Sequence, residues 1–163
     1  MRLRGEESAS AAAMKHRISA GVIVDVDDRI LLVRHVKPTV YDFWVAPGGG
    51  AEGTEDLRAT VQRETREECG LEVEPLQIAY VEDLWVPEMR ICKAWFIGRV
   101  IGGELTATAS GAAAEHIVDA QFIHRDDFRG KLAFPVVLNE QYWADKSSGF
   151  ATTRYVGVRE MKF

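Results

Sequence analysis

Apolar residues along this chain fall into short runs whose spacing changes from strand-like to helix-like and back. From Ile18 to Asp25 the run ISAGVIVD is β-branched and apolar, which predicts a buried strand. Asp27-Asp28 supplies a turn, and Arg29 to Arg34 (RILLVR) predicts the second strand of a hairpin. A loop at Pro38 leads to a short apolar piece, Phe43 to Val45. Four glycines then fall within six positions, Gly48 to Gly53, and predict a loop rather than regular structure. Glu55 to Cys69 is rich in helix formers, and Gly70 stands where a helix C-terminal glycine belongs. Gly53 or Thr54 would cap that helix, with Glu55 and Asp56 at the positive end of its dipole. Strand patterns resume at Ile78 to Val86 and Cys92 to Ile101, with a turn at Pro87 and Glu88. A loop from Gly102 to Ala114, a strand from Ile117 to Ile123, a helix from Pro135 to Ala144 and a strand from Thr152 to Val158 complete the reading. The order predicts an α/β chain in which strands are sandwiched by helices.

Composition narrows the functional classes. At 163 residues the chain suits a single domain, read as a flexible Ser/Ala-rich tail over 1–13 and a folded unit over 14–163. Twenty Lys and Arg against 25 Asp and Glu give a net charge of −5, which argues against a general nucleic-acid binder. An anionic small molecule would therefore need local positive charge or metal ions. Cys69 and Cys92 make no disulfide framework; each reads as a small buried hydrophobe, and a reducing, cytoplasmic setting is expected. The tail lacks the apolar stretch of a signal peptide, and no segment approaches the ~20 apolar residues of a membrane span.

The predicted helix breaks the usual rule for a packed face. At about 100° per residue, Leu57, Val61, Glu64 and Glu68 share one stripe roughly 60° wide. Thr60, Thr65 and Glu67 flank it, and Arg58, Ala59, Gln62 and Arg66 occupy the opposite side. The stripe that should bury aliphatic side chains thus turns acidic in its second half. Partial burial of mutually repelling carboxylates costs several kcal/mol unless something positive compensates. A hard divalent cation does so economically, because Mg²⁺ takes oxygen ligands and needs few of them from protein. Without it, the stripe would be an acidic surface paired with Arg63 and Arg66.

Placed side by side, loop and helix read Gly49-x5-Glu55-x7-Arg63-Glu64-Thr65-x-Glu67-Glu68-x-Gly70-Leu71. This resembles the Nudix box, the signature of the Nudix hydrolases (MutT-like proteins), with Thr65 where the family usually has an aliphatic residue. The approach Phe43-Trp44-Val45-Ala46-Pro47-Gly48-Gly49 is similar too, and the likeness runs from about Arg17 to Phe128. It implies a Nudix-type α/β/α sandwich with a mixed sheet. By the same resemblance, Glu64 and Glu68 would be the main Mg²⁺ ligands, with Mn²⁺ as a substitute. Glu67 would be a further ligand or the general base, and the Gly48 carbonyl would complete the metal site. Arg63 and Glu55 would hold the loop bearing Gly49 onto the helix. Glu115 is the first candidate for an additional acidic residue, ahead of Glu52, Glu82 and Glu88.

The implied reaction is Mg²⁺-dependent cleavage of a phosphoanhydride in a nucleoside diphosphate linked to another group. Glu67 or Glu115 would act as base beside Glu64, and the sequence leaves that choice open. The alternative is a catalytically silent Nudix module that binds a nucleotide; the intact Glu64, Glu67 and Glu68 speak for the enzyme. Arg34 is the expected phosphate contact among Arg34, His35, Lys37, Arg90 and Lys93. Trp85 is the expected base-stacking residue, whereas Trp44 and Trp95 read as core. Pro87, sixteen positions beyond Leu71, resembles a proline associated with ADP-ribose cleavage in the family. Nucleoside triphosphates and nucleotide sugars remain equally open. The expected partner is a small-molecule nucleotide, without nucleic acid or membrane, and a homodimer is compatible.

Overall fold

Alternating side chains of the first two strands are buried on both faces, and this sets the layering. The computed structural model describes residues 13–162. Residues 1–12 of the expected tail lie outside the described residues. The elements are β1 (Lys15–Val26), β2 (Arg29–Lys37), β3 (Tyr41–Val45), β4 (Gly48–Gly50), α1 (Leu57–Cys69), β5 (Leu71–Val86), β6 (Met89–Gly103), β7 (Ile117–His124), β8 (Ala133–Phe134), α2 (Gln141–Ser147) and β9 (Arg154–Glu160). Short 3₁₀ turns cover Arg125–Phe128 and Val136–Asn139.

The strands join in the order β8-β3-β2-β1-β6-β5-β9, with β4 added to β1 and β7 to β2. Pairing is mixed: β1 with β6, β5 with β9 and β3 with β8 are parallel, and the others antiparallel. β1 meets β2 only at Asp25 and Val26, beside the hairpin turn, so the sheet splits there and curls into two wings. Val22, Val24, Leu31 and Val33 face Val61 and Cys69 of α1. The intervening Ile23, Ile30 and Leu32 face Leu138 and Tyr142 on the other side. A strand buried on both faces reads as a continuous apolar run, which is why ISAGVIVD shows no alternation. The result is the expected α/β/α sandwich with a mixed sheet.

β5 begins at Leu71 rather than Ile78, Cys92 is exposed rather than buried, and four further details differ from the sequence reading. The glycines at 48–50 form a strand, because without side chains they lie directly against β1, Ser19 opposite Gly50 and Gly21 opposite Gly48. Helix α1 is capped by Asp56, whose carboxylate accepts the Ala59 N–H at 2.8 Å, so Glu55 stays outside the helix. The segment after Pro135 is broken at Glu140 (φ −144°, ψ −60°) into a 3₁₀ turn and α2. β9 runs two residues past Val158, because its parallel pairing with β5 continues to Glu160 opposite Trp85. Gly70 caps α1 in the left-handed conformation at φ 78°, as its position implied.

Candidate active site

The acidic stripe of α1 meets the sheet where β4 lies against β1. Gly48 has a φ of +152°, and a Cβ there would collide with the Ala20 carbonyl and Gly21 Cα of β1. A Cβ on Gly49 would stand 2.5 Å from Glu64 Cδ and 2.8 Å from its Oε2. Only glycine allows backbone, strand and carboxylate to approach this closely. The Gly48 N–H accordingly donates to Glu68 Oε2 at 3.1 Å.

Arg63 organises the acidic groups around it. Its Nε and Nη2 donate to the two oxygens of Glu55 at 2.7 and 3.1 Å, a bidentate fork that suits guanidinium geometry. Nη2 also donates to the Gly50 carbonyl at 3.0 Å, which ties β4 to the helix. Nη1 reaches Glu64 Oε1 at 3.0 Å and Glu67 Oε2 at 3.1 Å. Glu55 further accepts the Glu52 N–H and the Thr60 hydroxyl, and with Arg63 beside it its carboxyl is held down at about 2.

Glu64 and Glu68 experience the reverse. Both are buried, at 8% and 3% exposure, and burial pushes their pKa values up against the pull of Arg63 and Lys93 respectively. Glu64 raises the cost of charge on Glu68, Glu67 raises it on Glu64, and Glu115 adds to both. Lys93 is itself driven toward neutrality by burial, opposed by Glu68, Glu82 and Glu64, and its Nζ lies 4.2 Å from the Trp95 ring centroid. Glu68, buried and without an ion pair among the described residues, suits a hard cation beside it. Among the described residues no group of three His, Cys, Asp or Glu side chains is placed to hold a metal ion by itself. Mg²⁺ needs few protein ligands, because it keeps waters and substrate phosphates in its shell, so Glu64 and Glu68 with backbone oxygen would be enough to hold it.

Glu68 also faces a cavity of about 160 Å³ whose walls include Gly48, Glu115, Lys93, His35 and Glu82. Apolar walls come from Phe43, Leu84, Trp95 and Phe134, and Arg159 and Met161 close one side. Glu64 and Glu67 do not line it; both are held by Arg63, and Glu67 keeps a side-chain exposure of 42%. The larger grooves elsewhere, such as that lined by Arg125, Arg129 and Trp143, lack this acidic set.

Two expected substrate contacts are not brought to the cavity. Arg34 forks onto Asp42 across the β2–β3 pair at 2.8 and 2.7 Å and lies over the Trp44 ring, in a separate groove. The next residue of β2, His35, points into the cavity instead, because strand side chains alternate. Trp85 is displaced by the same parity. Glu82 and Leu84 of β5 face the cavity, whereas Asp83 turns away to pair with Arg90 of β6 and Trp85 does not line the cavity. Pro87 lies at the turn joining β5 to β6, also outside the cavity.

Sequence reasoning missed Phe43, Phe134, Arg159 and Met161 as cavity residues. β9 brings Arg159 beside Leu84 through parallel pairing across some 75 residues of sequence, which leaves no local mark. Glu82 did leave a signal, as a charged residue alternating with Tyr80, Leu84 and Val86 along β5.

Comparison with known proteins agrees with this geometry. A family model described as NUDIX domain matches residues 15–143. The chain is 30% identical over 92 residues to 8-oxo-dGDP phosphatase of Danio rerio, covering 56% of this chain and 27% of that protein. It is 34% identical over 95 residues to ADP-ribose pyrophosphatase of Methanocaldococcus jannaschii, covering 57% and 56%. The chain thus spans between about a quarter and just over half the length of these relatives. A crystal structure of a NUDIX hydrolase from Nitrosomonas europaea superposes with a TM-score of 0.72 at 17% identity, covering 91% of this chain and 81% of that one. The chain belongs to the NUDIX domain family, the family of the Nudix hydrolases.

Proposed function

We propose that this chain is a Mg²⁺-dependent hydrolase that cleaves the phosphoanhydride of a nucleoside diphosphate linked to another group. The observation that carries the reading is the pair of buried carboxylates, Glu64 and Glu68, packed against the glycine backbone of β4, with Glu68 lining an aromatic-walled cavity. The relatives' names support it: one acts on 8-oxo-dGDP and another on ADP-ribose, and both substrates contain a nucleoside diphosphate. ADP-ribose carries a further group on that diphosphate and 8-oxo-dGDP carries none, so nucleoside triphosphates, ADP-ribose and nucleotide sugars all stay within the proposed class.

Glu64 and Glu68 would hold the metal, with Glu67 and the backbone of Gly48 beside them. When bound, Mg²⁺ (or Mn²⁺) neutralises phosphate charge and acidifies a water. The chain's own groups supply the rest. Arg63 fixes the rotamers of Glu64 and Glu67 and ties β4 in place. Lys93, on the cavity wall, would balance charge on the phosphates. Glu115 is the better base, since it lines the cavity and forms no ion pair among the described residues, whereas Glu67 is held by Arg63. Its carboxylate would take a proton from the attacking water as the phosphorus–oxygen bond breaks in line.

No helix among the described residues is long and apolar enough to cross a membrane. A small-molecule partner and a cytoplasmic setting complete the proposal. The test is a panel of nucleoside triphosphates, ADP-ribose, nucleotide sugars and dinucleoside polyphosphates, each with Mg²⁺, Mn²⁺ or chelator. Release of a nucleoside monophosphate from at least one, lost with chelator, is expected. Nucleotide binding without cleavage across the panel would instead identify a silent binding module.

A further inference from the structure

Phosphates entering a site this acidic need positive charge, and three arginines that could supply it are already committed. Arg63 is shared among Glu55, Glu64 and Glu67, Arg159 leans on Glu82, and Arg34 is held by Asp42 in its separate groove. Lys93 is driven toward neutrality by burial. Arg17 differs from all of these. It is exposed and makes no ion pair or hydrogen bond among the described residues.

Its seat on the sheet sets it apart from a solvated surface arginine. Arg17, Ser19 and Gly21 share one face of β1, since strand side chains alternate. That is the cavity face: a Cβ on Gly21 would run into the Trp95 ring, and Ser19 lies opposite Lys93 of β6. Ser19 also lies opposite Gly50 of β4, so Arg17 stands two residues beyond that pair. Its guanidinium lies over Gly50, where a Cβ would fall 2.6 Å from Arg17 Cζ and closer still to Nε and Nη2. Gly50 has no left-handed φ, so the backbone does not demand glycine there. The guanidinium does.

Gly48 shares that face of β4 and lines the cavity with Glu68. Arg17 is thus seated two strand residues from Gly48, roughly 7 Å along β4. Lys93, lowered mainly by burial, feels the charge of Arg17 as well. We propose that Arg17 is a substrate-binding residue that grips phosphate oxygens of the nucleoside diphosphate, and that Gly50 lacks a side chain to give its guanidinium that place. The planar fork matches two oxygens of one phosphate. A metal at Glu64 and Glu68 would hold the diphosphate at one end of β4, and Arg17 would hold it at the other. This inference rests on the proposed hydrolase reading and supplies the cation that Arg34 does not.

Three variants test it: Arg17→Gln, Arg17→Lys and Gly50→Ala, each assayed on the substrate found by the panel and titrated with inorganic pyrophosphate in Mg²⁺. Loss of a charge-assisted bond to phosphate should raise KM and weaken pyrophosphate binding at least ~10-fold in Arg17→Gln, with kcat changed by less than about threefold. Arg17→Lys keeps the charge without the fork and should recover part of the loss. Gly50→Ala displaces only the end of a flexible side chain, so it should fold and reproduce the loss. Combined with Arg17→Gln it should add nothing further. Mn²⁺ affinity should stay close to wild type in all three, since none alters a carboxylate. Unchanged KM and pyrophosphate affinity in Arg17→Gln would overturn the inference and leave the hydrolase reading standing. Mn²⁺ affinity lost with Arg17 would overturn it too, by making the residue part of the metal site's frame. Pyrophosphate binding that depends on Arg17, in a protein that cleaves nothing, would uphold the phosphate grip and remove the hydrolase reading.

Discussion

Replacing Glu68 by glutamine should make the protein more stable and less active at once. Glu68 is 3% exposed, receives one N–H from Gly48, and has only through-space help from Lys93. The amide keeps an acceptor for Gly48 and removes a buried charge of nearly unchanged shape. Burying an incompletely satisfied polar group costs about 1–3 kcal/mol by mutational measures, which sets the expected gain. For a domain of this size each kcal/mol moves Tm by roughly 2–4 °C. The sign follows from burial: the folded-state pKa of Glu68 lies above the unfolded value, so the ionised form destabilises. The Glu68→Gln advantage should thus be small below about pH 4.5 and widen as pH rises toward the folded pKa. Turnover should fall at least about 10²-fold, the scale for losing a positioned electrostatic group. Melting in chelator across pH 4 to 9, with steady-state assays on the same preparations, reads both effects. A variant less stable than wild type at every pH, or one with full turnover, would refute the reasoning.

Three other perturbations probe separate parts of the account. Gly48→Ala places a Cβ against the Ala20 carbonyl at a φ of +152°, so a loss of about 1–3 kcal/mol is expected by denaturant melting, together with reduced activity. Glu55 has its pKa lowered to about 2, so its contribution is complete above about pH 4.5 and disappears as pH falls through 2; acid unfolding of wild type and Glu55→Gln should converge over that interval. Arg34→Ala removes an exposed pair with Asp42 away from the cavity, so stability should change by less than about 1 kcal/mol and KM should not move.

How much of this was legible in the chain depended on range. The acidic stripe Leu57, Val61, Glu64, Glu68 could be read from helical spacing alone, and in the structure Val61, Glu64 and Glu68 are buried. The hairpin of β1 and β2 was equally visible, because its apolar runs are local. The Asp56 cap was missed by two or three residues, since Thr54 and Asp56 are both good capping types and only the bond to Ala59 chooses between them. Arg34 and Trp85 were chosen by residue type, whereas strand parity turned their neighbours His35 and Leu84 into the cavity. Glycines at 48–50 read as a loop because propensity registers conformational freedom, not the tight approach to β1 that uses it. Arg159 and Phe134 reach the cavity only through long-range parallel pairings, β9 on β5 and β8 on β3, which no local window contains.

Manganese binding followed by electron paramagnetic resonance bears most directly on the acidic face of α1. Wild-type protein should take up Mn²⁺, displaceable by Mg²⁺, and the double variant Glu64→Gln, Glu68→Gln should bind at least about tenfold more weakly while keeping its fold. Equal Mn²⁺ affinity in the two proteins would contradict the assignment of these carboxylates as the metal-holding groups.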